Sequence, residues 1–150
     1  MSSLFAFLHH VAAFTLVAAI AVEFVLMREE IGPSSVRKLL RADMIYGISA
    51  GVLVAVGLLR VFYFEKGASY YFHSVPFMLK LSLFVLIALL SIYPTIKFAS
   101  WGRAVKAQRN PIADAVELRR IRRLLHWELI VLIPLILCAA LMARGIGHWG

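Results

Sequence analysis

Two adjacent histidines, His9 and His10, stand in the stretch LFAFLHHVAAF (residues 4–14), which is otherwise wholly apolar. An imidazole can ligate a metal, move a proton or hydrogen-bond, and in an apolar setting it needs a partner for one of these. Glu23, Arg60, Lys80, His126 and Glu128 also fall within or just inside apolar runs, where an ionisable group is a functional candidate. Depth along the runs sorts these residues into two layers. His9, His10, Arg60 and Lys80 share one, with His73 and Arg144 beside it, and the carboxylate nearest to it is Glu65. Glu23, Asp43, His126 and Glu128 share the other, close to Arg28 and Arg41.

The first layer has the composition of a haem site. A histidine ligates iron, arginine and lysine meet the propionates, and a small residue on a neighbouring helix admits the porphyrin face. His9 is the first axial candidate and His10 the next, with His73 and Met78 outside candidates; Arg60, Lys80 and Arg144 are the candidate propionate partners. A bare metal is less favoured, because zinc and copper sites usually assemble three or four ligands. Arg60 and Lys80 could instead snorkel to the interface, leaving the histidines as hydrogen-bonded structure. The second layer can pair its own charges, which favours ion pairs and caps that fix helix ends. Helical geometry separates the two histidines. Glu23 must face an interior and lies fourteen residues after His9, an offset of about 40° at 3.6 residues per turn, whereas His10 is about 140° away. His9 is therefore the inward residue.

Four apolar runs must position these groups, at about 3–27, 43–64, 75–98 and 124–145. Each is long enough to cross a bilayer, which takes roughly 20 residues. Of the 150 residues, 62% are hydrophobic, and mean hydropathy is +0.86. The expected fold is an all-α integral membrane four-helix bundle forming a single domain over 1–150. The first run lacks a basic flank and is too long for a signal peptide, so it is expected as a retained span. The net charge of +8 does not point to nucleic acid, because twelve of the sixteen basic residues sit in two connections, 28–43 and 97–123. That is the positive-inside pattern. It places those connections in the cytoplasm, both termini and connection two outside, and the basic residues against anionic lipid.

Gly32 and Pro33 should end the first helix, with Ser34 or Ser35 capping a short amphipathic turn. Gly47, Gly51 and Ala55 lie four apart on one stripe of the second, suited to close helix packing or a flat ligand. Tyr70, Tyr71, Phe72 and His73 precede Pro76 and suit an interfacial belt. A kink is expected at Tyr93–Pro94, and residues 111–123 should form an amphipathic extension of the last helix. Cys138 excludes an intrachain disulfide and is expected as a small buried hydrophobe.

The runs LHHVAAFTLVAAIAVEFVLMRE, ADMIYGISAGVLVAVGLLRVFYFEKGASYY, FMLKLSLFVLIALLSIYPTIKF and WELIVLIPLILCAALMARG together resemble a family of small predicted bacterial membrane proteins, over nearly the whole chain. More distantly, the Leu8-His9 pair followed by small residues, and Lys80-Leu81, resemble HemJ-type protoporphyrinogen oxidases and their CopD-like relatives. That resemblance implies a haem b protein of the inner membrane, with His9 in place of its first-helix histidine and Lys80 in place of its third-helix lysine. Met78 stands where those proteins have a histidine two positions before the lysine. The departure weakens protoporphyrinogen oxidation and leaves haem binding, with Met78 or His10 open as second axial ligand.

The resulting expectation is a haem b-binding protein of the bacterial inner membrane, of redox or electron-transfer type, with quinone or a small redox molecule as partner. A homodimer through the first helix or the small stripe would cover the porphyrin. The alternatives are a CopD-like copper-handling or transport protein using His9, His10 and Met78, and a structural or assembly subunit. No catalytic base or nucleophile is identifiable.

Overall fold

A computed structural model describes residues 2–64, 68–144 and 146. The elements are α1 (Ser2–Leu26), α2 (Pro33–Leu59), a π-helical segment (Arg60–Phe64), the short α3 (Ala68–Phe72), α4 (Val75–Lys106) and α5 (Ala115–Ala143). Among the described residues, four helices are long and apolar enough to cross a membrane: Ser3–Leu26, Pro33–Tyr63, Val75–Lys106 and Ala115–Ala143. α1 packs on α2 and α5, and α4 packs on α2 and α5, so the four form a ring built from two hairpins. The connections at 27–32 and 107–114 lie at one end, here the basic end. The segment 60–74 lies at the other, here the aromatic end.

The second spanning helix begins ten residues before the expected run. Gly32 caps it with extended backbone, and Pro33 occupies its first turn, where a missing N–H costs nothing. Ser35 Oγ accepts the Gly32 N–H at 2.8 Å and donates to the Glu30 carbonyl at 2.8 Å. What was expected as a separate amphipathic turn is the first turn of α2. Val36, Leu39, Ala42 and Tyr46 are buried along one stripe, so the inward face continues without a break.

α4 likewise runs past its expected end, through Pro94 to Lys106. Trp101 and Gly102 are buried on that extension, and Lys97, just before it, forms an ion pair with Glu117 of α5. The amphipathic stretch starts at Ala115 rather than 111 and is continuous with the last spanning helix, capped by Asp114. Arg122 Nε donates to the Met27 carbonyl at 2.6 Å, so α5 satisfies an otherwise unpaired group past the end of α1.

The tightest packing lies toward the basic end. Met27, Val36, Leu39, Phe98, Ile121 and Leu125 are fully buried and belong to one core cluster. Gly102 of α4 sits so close to α2 that an added Cβ would meet Leu40 Cδ1 at 2.5 Å. Cys138 is buried, as expected for a small hydrophobe. Gly47 and Gly51 are exposed, and a Cβ at either would meet nothing within 4 Å. The small stripe is therefore not used for packing within the chain. Glu65, and Gly145 at the end of the last expected run, lie outside the described residues.

Candidate functional site

At the aromatic end α1 turns His9 inward, half-buried, against Gly57 of α2. A Cβ at Gly57 would lie 3.7 Å from His9 Cε1, an ordinary van der Waals contact, so the two residues are neighbours across the helix pair. His9 Nδ1 is buried with no hydrogen-bond partner. The charged groups that act on His9 are Lys80 of α4, Arg60 of the π-helical segment and the neighbouring His10. Three chain elements besides α2 thus contribute to one locus. A π-helical turn is uncommon and is often found at functional sites. Here it starts at Arg60, three residues after the glycine that faces His9.

His10 points outward. It is exposed, and its Nδ1 lies 2.6 Å from the Ala6 carbonyl, an arrangement in which the Nδ1–H donates to its own helix. Its ring meets His9 edge-on, with centroids 6.2 Å apart. His73 is likewise exposed, with Nδ1 2.6 Å from the Ser69 carbonyl. Met78 is 42% exposed, and Arg144, at the C-terminal cap of α5, is exposed. The structure therefore brings His9, Arg60 and Lys80 together, leaves His10 adjacent but outward, and puts His73, Met78 and Arg144 on the surface. Among the described residues, no three His, Cys, Asp or Glu side chains converge as a bare metal ion would require.

The second layer differs from its expected form. Glu23 of α1 and Glu128 of α5 are only 3% and 1% exposed, and each keeps Oε1 buried without a hydrogen-bond partner. Asp43 of α2 accepts the Thr95 hydroxyl of α4 at 2.7 Å. The charged groups acting on Glu23 are Asp43 and Glu128, and Asp43 also acts on Glu128. The expected pairing with Arg28 or Arg41 is not what surrounds these carboxyls. Arg28 is exposed, with its guanidinium carbon 4.8 Å from the Phe24 ring centroid, and Arg41 is exposed as well. His126 is also exposed, with its ring centroid 6.1 Å from that of Phe24. The helix register accounts for this, because positions that face the ring interior point away from the cations at the helix ends.

Gly57, Tyr46, Ser91 and Thr95 are contributors that the sequence did not single out. Thr95 follows a proline inside an apolar run, and Tyr46 is a hydroxyl-bearing residue within another; both were available signals. Gly57 is off the glycine stripe, and nothing in the sequence pairs it with His9.

A ring of four apolar helices with polar groups turned inward at two depths defines a small multi-pass membrane protein. The chain belongs to the family of predicted membrane proteins DUF2214, whose model matches residues 1–147. No curated protein and no solved structure matches it.

Proposed function

We propose that this protein binds haem b at its aromatic end and serves one-electron chemistry in the bacterial inner membrane, with both termini and the 60–74 connection outside. The observation that carries the proposal is the inward, half-buried ring of His9 in a locus whose charged members are Arg60 and Lys80. A ligand that engages this ring while presenting carboxylates to two cations meets the chemistry of the locus. Haem does so through its iron and its propionates. When bound, it would supply reversible one-electron oxidation and reduction, with quinone or a small redox molecule as the exchange partner.

His9 is the proposed axial ligand, and Arg60 and Lys80 the proposed propionate partners. His10 would need to leave the Ala6 carbonyl to ligate, and Arg144 and Met78 would need to turn in from the surface, so these are secondary. The resemblance to HemJ-type and CopD-like proteins would match His9 to their first-helix histidine and Lys80 to their third-helix lysine. Copper handling by His9, His10 and Met78 has less support, because His10 is exposed and already bonded to its own helix. A homodimer through the exposed Gly47–Gly51–Ala55 stripe is part of the proposal, since small residues let a second backbone approach closely.

The test is a visible spectrum of detergent-purified protein, oxidised and dithionite-reduced, beside His9→Ala and His10→Ala. The expected result is a Soret band with sharp reduced α and β bands, lost in His9→Ala. A colourless wild type that also fails to bind added hemin would overturn the proposal.

A further inference from the structure

The layer near the basic end makes no contribution to the haem locus, and its chemistry is different. Glu23, Asp43 and Glu128 come from three helices and act on one another, and the charged groups that act on Glu23 and Glu128 are carboxylates. Three carboxyls that act on one another in apolar surroundings cannot all be ionised without a counter-cation, because each loses its hydration and repels the others. Three cations toward this end are engaged elsewhere: Lys97 with Glu117, Arg122 with the Met27 carbonyl, and Arg28 over Phe24. Oε1 of Glu23 and Oε1 of Glu128, on residues more than nine-tenths buried, are thus acceptors that lack a donor.

Neutral hydroxyls complete the layer. Thr95 donates to Asp43. Ser91 donates to the Ala88 carbonyl at 2.7 Å and lies beside the Tyr46 hydroxyl. Tyr46 and the three carboxyls are the titratable groups of the layer: α1 contributes Glu23, α2 Asp43 and Tyr46, and α5 Glu128. α4 contributes the two hydroxyls.

We propose that Glu23, Asp43 and Glu128 form a proton-binding site that takes up and releases protons inside the bundle. A proton suits the layer better than a metal cation, because the three carboxyls do not converge as ligands of one ion. A protonated carboxyl becomes a donor, which is what the unpartnered oxygens of Glu23 and Glu128 lack. The proposal does not depend on haem binding.

Infrared difference spectroscopy of the full chain in nanodiscs tests it by following the protonated-carboxyl C=O band across pH. The variants are Glu23→Gln, Glu128→Gln and the double variant, which keep side-chain shape. The expected wild-type spectrum has this band at neutral pH and loses it reversibly on raising the pH. Each single variant loses part of the band, and the double variant most of it. Absence of the band from wild-type protein at neutral pH would overturn the proposal even if the variants failed to fold, as would a full-sized band in the double variant. Sodium chloride against choline chloride at fixed pH distinguishes the ligand. Loss of the band with sodium alone would contradict the assignment to protons.

Discussion

The two ends of the bundle differ in packing, and each polar layer reflects the end it occupies. Toward the basic end, side chains such as Met27, Leu39, Phe98 and Leu125 have no exposed surface, and Glu23 and Glu128 are sealed among helices that touch closely. Toward the aromatic end, Phe7 is 63% exposed and Tyr63 77% exposed, the helix ladder loosens into a π-helical turn, and His9 is only half-buried. The sealed layer suits the smallest ligand, the proton proposed for it, and the more exposed layer suits the larger ligand proposed there. Polar residues within a span thus take their meaning from the packing around them as much as from their type.

The largest effect should come from emptying the tight end. Phe98→Ala should cost about 3 kcal/mol, because the cavity term survives even where lipid replaces water outside. Phe7→Ala should stay within about 0.5 kcal/mol, as exposed sites usually do. Thermal unfolding in detergent measures both, and equal losses would break the contrast between the ends. Gly102→Ala should cost about 1 kcal/mol, because its Cβ displaces Leu40. At the open end, Arg60→Gln or Lys80→Gln should each weaken hemin binding threefold to tenfold, about 1 kcal/mol, as expected for a lost charge-assisted contact. Spectral titration reads that loss.

The proposed proton site carries a signed pH dependence: if the folded layer holds protons which the unfolded chain would release, stability falls as pH rises. The wild-type melting temperature should therefore fall on the alkaline side, and it should fall less in the Glu23→Gln/Glu128→Gln double variant. The smallest effect is expected on the small stripe. Gly51→Ala meets no neighbour within the chain, so monomer stability should not drop, while cross-linking between copies should decrease.

The four spans were legible in the sequence, because continuous apolar runs are the strongest signal a chain can carry. Their ends were not. Gly32-Pro33 looks like a stop but starts α2, since Ser35 supplies the capping bonds. The third run ends near residue 98, yet α4 continues to Lys106 because Trp101 and Gly102 bury beyond that point. The inward direction of His9 followed from its spacing to Glu23, and the structure places it so. Charge proximity along the sequence failed at the other layer, where Arg28 lies five residues from Glu23 but faces outward onto Phe24. The His9–Gly57 contact was illegible, because it depends on how α1 and α2 are registered against each other.

The most direct test is a hemin titration of wild-type protein, His9→Ala and the Glu23→Gln/Glu128→Gln double variant, side by side in nanodiscs. Saturable binding that is lost in His9→Ala and retained in the double variant is the predicted result, and it would assign haem to the aromatic end. Equal binding by wild type and His9→Ala, or no binding at all, would contradict it.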